Sequence, residues 1–230
     1  TPPSDPKEYK EWAVCAFKKP CIYGWQKRTA PPTANDLQER LAGTHVDSVN
    51  GRHAYSLGVL CGEANAGLEV LDFDNAGSEW DSFCNLVNEY RPGLLDSLPT
   101  VRTPSEGYHL YYRCAEVEGS KRLAWYRTVK DGVVEPKSKG DYEDHIAIET
   151  RGRGAQVVCE GTMLHDGRGY KHVSGPSLDQ TPLIPQKDRT LLLNVARSLS
   201  LVTDDDAVVT DKAYESKDNS GKPGSDYNNR

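Results

Sequence analysis

The chain has 230 residues, enough for one large or two small domains, with 37% hydrophobic residues and a formal net charge of -6. No apolar run is long enough to cross a bilayer and no basic-then-apolar leader opens the sequence, so a membrane-spanning or exported class is not expected. The charge is unevenly spread: acids gather at Glu8–Glu11, Asp141–Asp144 and Asp204–Asp206, and bases at Lys18–Lys19, Lys27–Arg28, Lys121–Arg122 and Arg151–Arg153.

The first residue is not Met, which reads as a processed chain or a piece of a longer one. Residues 5–18 predict a helix. Ser4 can cap it, Pro6 suits its first turn, and Tyr9, Trp12, Ala13 and Ala16 follow helical spacing until Pro20. A loop then leads to a second helix with Thr33 as cap and Leu37 and Leu41 on one face. "AYSLGVLCG" and "LEVLDFD" predict two strands joined by the turn "EANAG", hence a hairpin. "SEWDSFCNLVNEY" repeats Trp80, Phe83, Val87 and Tyr90 at helical spacing and stops at Pro92 and Gly93.

"PTVRT" and "YHLYYR" predict a hairpin around "PSEG". Residues 115–144 are charged and irregular, an insertion or a long hairpin. "HIAIET" and "AQVVCE" read as the two strands of a hairpin about "RGRG", followed by a Gly- and Pro-containing loop and a last helix from about Lys187 to Leu199. After Leu201 the polar composition reads as a flexible linker, so the expected organisation is a domain over residues 1–200 and a tail over 201–230. Strand pairs mixed with helices predict an α+β fold with a mainly antiparallel sheet. The six cysteines (Cys15, Cys21, Cys61, Cys84, Cys114, Cys159) form no CxxC pair and read as buried free thiols in a reducing compartment, with no spacing for zinc.

The chemistry concentrates in "VLDFD". Alternate strand residues share a face, so Val70, Asp72 and Asp74 point one way and Leu71 and Phe73 the other. At about 3.3 Å per residue the two aspartates start roughly 6.6 Å apart. Carboxylates that close, among apolar neighbours, repel each other and resist desolvation, and a divalent cation relieves both. The alternative is a strand end where both acids reach solvent or cap the next helix. Glu149, at the end of "HIAIE", shares a face with Ala147 and adds a third acid. Such a trio can hold cations that position a phosphoryl group. His109 shares its face with Tyr111 and Arg113, and the turn Ser105–Gly107 offers amides and a hydroxyl for a triphosphate. The plain reading of this segment is a hairpin with a half-buried histidine. Arg151 and Arg153 in "RGRG" either meet phosphate oxygens or form a solvated turn.

Taken together, "VLDFD", "TPSEGYHLYY" and "IAIETRGRGAQVV" resemble, in order, the three motifs of the primase-polymerase domain of the archaeo-eukaryotic primase superfamily, found in replication proteins of plasmids and phages. "KKPCIYGWQKRTAPPTANDLQERL", "SLGVLCGEANAGLEVLDFD" and "RGYKHVSG" resemble the family's flanking segments. The resemblance spans roughly residues 15–175. It implies a two-lobed catalytic core with an RRM-like sheet and template-directed nucleotidyl transfer, with Asp72, Asp74 and Glu149 as ligands for catalytic Mg²⁺ or Mn²⁺. His109, Ser105 and Gly107 would meet the incoming nucleotide's phosphates, and Arg151, Arg153, Tyr170 and Lys171 would contact nucleotide or template. The implied partners are nucleoside triphosphates, a single-stranded or primed DNA template and a fused or associated helicase, in the cytoplasm of a bacterial or archaeal host. One departure stands out: the family's Ser-x-His spacing would place serine at position 107, where this chain has Gly107. A metal-dependent nuclease or replication initiator, and a non-catalytic nucleic-acid-binding module, remain the competing classes.

Overall fold

The computed structural model describes residue 5 and residues 25–27, 33–41, 56–164 and 166–202. The predicted helix over 5–18, apart from its first residue, and all but the first two residues of the predicted tail over 201–230 lie outside the described residues. Three α-helices are described: α1 (Ala34–Leu41), directly after Thr33 as expected, α2 (Trp80–Tyr90) and α3 (Gln186–Ser198). Eight strands accompany them: β1 (Gly58–Leu60), β2 (Leu68–Phe73), β3 (Thr100–Arg102), β4 (Tyr108–Arg113), β5 (Arg122–Val129), β6 (Tyr142–Arg151), β7 (Gln156–Val158) and β8 (Lys171–Ser174). Six strands form one sheet in the order β5-β6-β2-β4-β3-β8, and β1 and β7 form a second, two-stranded sheet. Every strand pairing in both sheets is antiparallel, so the expected α+β class with a mainly antiparallel sheet is observed.

The sequence of β2 explains why it sits at the centre. All six of its residues are buried, which requires a cover on each face of the sheet. On one face Leu71 and Phe73, with Leu110, Tyr112 and Ile148, pack against Phe83 and Val87 of α2 and Leu192, Leu193, Val195 and Ala196 of α3. Phe73 meets the rings of Trp80 and Phe83 edge-on at 5.0 and 4.9 Å, and Trp80 stacks on Tyr108 at 4.5 Å. On the other face Val70, Val101 and Tyr111 pack with Cys61, Val157, Val158 and Tyr170. Tyr90, expected on the apolar stripe of α2, is 66% exposed because it ends the helix, and the chain turns extended at Arg91.

Two expected hairpins are corrected. β1 does not pair with β2 beyond the single bridge Gly62–Leu68, because a strand has two hydrogen-bonding edges and those of β2 are taken by β4 and β6. β7 likewise leaves β6 and pairs with β1. The segment 115–144 resolves as the long hairpin alternative, with β5 and β6 paired from Val129–Tyr142 to Arg122–Glu149. β8, read from sequence as part of a loop, adds an exposed edge strand beside β3.

One buried ionic cluster ties the helical layer to the sheet. Glu69 of β2 is fully buried on the helix side. It accepts from Tyr112 Oη at 2.7 Å, and from Arg189 Nε at 2.7 Å and Nη2 at 2.9 Å. Arg189 Nη2 also reaches Glu118 at 3.1 Å. The paired carboxylates raise the Arg189 pKa further above its already high value, and burial, then the Glu69 charge, holds the Tyr112 phenol well above its usual range. All four cysteines among the described residues are free.

Candidate functional site

Register, more than proximity in sequence, builds the site. Asp72 of β2 lies directly opposite His109 of β4 on one side and Glu149 of β6 on the other. The three therefore occupy one rung and project from the same face, with cross-strand Cα separations of about 4.5–5.5 Å. Asp74 follows two residues later, its amide donating to the Ala147 carbonyl at 2.9 Å, so the end of β2 stays clamped to β6. Asp72, Asp74 and Glu149 each bring a carboxylate oxygen within 4.8 Å of the others. Asp72 and Glu149 are buried and Asp74 is half-buried. The predicted third acid thus converges on the predicted pair.

The donor set fits a hard divalent cation: three carboxylates, oxygen only, in one partly desolvated place. Positive charge is already drawn to it. Arg151, two residues along β6, places Nε and Nη2 each at 3.1 Å from Asp72 Oδ2, and Nη2 at 2.6 Å from Glu149 Oε1. His109 Nε2 lies 3.4 Å from Asp72 Oδ1.

Tyr111 supports the histidine. It is 1% exposed, and its hydroxyl lies 3.2 Å from His109 Nδ1. Burial, with smaller contributions from neighbouring acidic groups, holds the phenol well above its usual range, so Tyr111 stays protonated. A Tyr111 hydroxyl donating to Nδ1 leaves the imidazole proton on Nε2, facing the acids. The ring of Tyr170, itself buried, lies 5.7 Å from that of His109. Beneath them, burial pushes the Cys61 thiol up to about 12, with the Arg151 guanidinium offsetting part of the rise. Tyr111→Phe is expected to loosen the His109 ring, read as a shift of its imidazole NMR resonances; unchanged resonances would contradict the supporting role.

The turn after β3 explains the missing serine. A Cβ on Gly107 would sit 2.1 Å from the Phe73 carbonyl oxygen, so no side chain fits there without moving β2. The Gly107 amide donates to Thr103 Oγ1 at 3.1 Å, and Ser105, exposed at the tip, lies 3.2 Å from the same Thr103 oxygen. Thr103 carries this network and was not among the residues predicted from sequence. Gly107→Ser is expected to lower the melting temperature by several degrees, because the overlap is with backbone; a melting curve identical to wild type would contradict the close approach.

The remaining predicted residues are less gathered. Arg153 is held by Glu63 Oε1 at 2.7 Å and by the Val117 carbonyl at 3.1 Å. Lys171 is exposed on β8 opposite Arg102. Left-handed backbone occurs at the non-glycine residues Asn75 and Ala76, just after Asp74, and at Glu106, in the Ser105 turn. Such conformations cost of order 1 kcal/mol each and gather at functional sites.

An α+β domain whose central strands converge three carboxylates beside a histidine presents, on one face of an antiparallel sheet, a group that could hold a cation. The chain belongs to the family of bifunctional DNA primase/polymerases, whose N-terminal domain model matches residues 7–187. No curated protein matches the sequence. No helix among the described residues is long and apolar enough to cross a membrane.

Proposed function

We propose that this domain is a metal-dependent, template-directed nucleotidyltransferase that extends a DNA primer. The observation that carries the reading is the single rung of His109, Asp72 and Glu149, completed by Asp74, in a chain of the primase/polymerase family. Asp72, Asp74 and Glu149 would hold Mg²⁺ or Mn²⁺. The bound cation supplies Lewis-acid stabilisation of charge developing on the phosphoryl oxygens and eases deprotonation of the attacking 3′-hydroxyl.

The protein's own groups bind and orient. His109, pinned by Tyr111, presents its Nε2 proton to the triphosphate. Ser105 at the turn tip adds a hydroxyl, while Gly107 lets the turn lie against β2. Arg151 supplies a planar guanidinium matched to phosphate oxygens. Tyr170, behind His109, and the exposed Lys171 extend this side of the site toward nucleotide or template, with Arg153 as a further basic contact. The attacking oxygen joins the α-phosphorus and the bond to the β-phosphate oxygen breaks, releasing pyrophosphate.

The six-stranded sheet is assigned as the RRM-like part of a two-lobed core. Residues 1–200 are assigned as the catalytic domain and 201–230 as a linker. By the family's occurrence in plasmid and phage replication proteins, the domain would act beside a helicase in the cytoplasm of a prokaryotic host. Incubation with a primed template, deoxynucleotides and Mn²⁺ tests the activity. Extension supports the proposal, shortening of the primer would instead indicate a nuclease, and no product would indicate a binding module.

A further inference from the structure

We propose that Arg151 is a resident counter-ion of the carboxylate trio, holding the metal-free site together and yielding to the metal when the nucleotide arrives. The inference rests on the nucleotidyltransferase reading above. Three acids with oxygens within 4.8 Å of one another repel strongly in a partly buried place. The Arg151 side chain, 15% exposed, bridges two of them, Asp72 and Glu149, whose side chains are 10% and 6% exposed. A cation bound by the trio draws on the same two carboxylates, Asp72 and Glu149, that the guanidinium bridges. Arginine does not lose its proton at accessible pH, so it clears the site only by moving its head group.

A guanidinium displaced into low dielectric needs another anion, and the incoming triphosphate provides one. Nucleotide binding therefore lowers the free-energy cost of displacing Arg151, and metal and nucleotide bind with positive coupling through this one side chain. A purely structural arginine would instead stabilise the fold in every state and leave metal affinity unchanged. Arg151 is thus a positioning residue for the metal, acting by competition.

The test is a Mn²⁺ titration followed by electron paramagnetic resonance of the free ion, for wild type, Arg151→Gln and Arg151→Lys, each with and without a non-hydrolysable deoxynucleotide. Without nucleotide, Arg151→Gln is expected to bind Mn²⁺ roughly tenfold more tightly than wild type, the worth of about one charge-assisted contact. Arg151→Lys, whose single head cannot fork two carboxylates, should fall between. Nucleotide should tighten Mn²⁺ binding to wild type by a similar factor, and that gain should shrink in Arg151→Gln. In chelator, Arg151→Gln should melt lower than wild type, and Mn²⁺ should restore most of the difference. Equal or weaker Mn²⁺ binding in both variants with unchanged coupling would overturn the proposal alone. Absence of Mn²⁺ binding in wild type and variants alike would overturn it together with the metal assignment beneath it.

Discussion

Asp72→Asn is expected to reduce primer extension by roughly a thousandfold or more while the protein stays folded. Asp72 is the central member of the rung: it faces Glu149 across one ladder and His109 across the other, and it accepts from Arg151. The amide keeps the shape and an oxygen to accept that hydrogen bond, so packing is preserved. It loses the charge that a hard cation requires. Lewis-acid stabilisation is worth several kcal/mol, and each 1.36 kcal/mol is tenfold in rate. Asp74→Ala should match the loss with even less effect on the fold, because Asp74 is only half-buried. Quantitative extension assays alongside circular dichroism check both variants. Retention of more than a tenth of wild-type rate in both would remove the acids from the chemistry.

Arg189→Met is expected to destabilise the domain by about 3–5 kcal/mol, as breaking a buried ion pair from one side does. The reason is what remains: Glu69, fully buried, would keep only the Tyr112 hydroxyl and a weak Cys114 thiol contact against its charge. Glu69→Gln should cost less, because Arg189 retains Glu118 and the amide still accepts from Tyr112. At about 2–4 °C per kcal/mol for a chain of this size, Arg189→Met should melt roughly 6–20 °C lower. The order of the two variants matters as much as the size. Equal, small shifts in thermal unfolding would mean that the cluster is better solvated than its geometry indicates.

The three converging acids were legible because strand alternation is a local rule. The face shared by Asp72 and Asp74, and the one carrying Glu149, follow from a period of two. What alternation does not carry is which strands become neighbours. The hairpin expected between β1 and β2 is a sound local inference, overruled when β4 and β6 claimed both edges of β2. For the same reason β7 looked like the partner of β6 and joined β1. Polar residues in 115–144 hid β5, whose outer half is only partly covered, so its hydrophobic signal is diluted. The Glu69–Arg189 pair spans 120 positions, and no local pattern announces it. Tyr111 was placed on the face of His109 by alternation, but its contact with Nδ1 depends on burial supplied by β7 and Tyr170. Gly107 is the instructive departure: its meaning lies in the carbonyl of Phe73, a residue 34 positions earlier.

The most direct measurement is anomalous diffraction at the manganese edge from crystals holding Mn²⁺ and a non-hydrolysable deoxynucleotide. The account predicts density for at least one ion among the carboxylates of Asp72, Asp74 and Glu149, with the triphosphate against His109 and Arg151 swung toward it. Ions bound elsewhere, with Arg151 still seated on Asp72 and Glu149 while nucleotide is present, would contradict it.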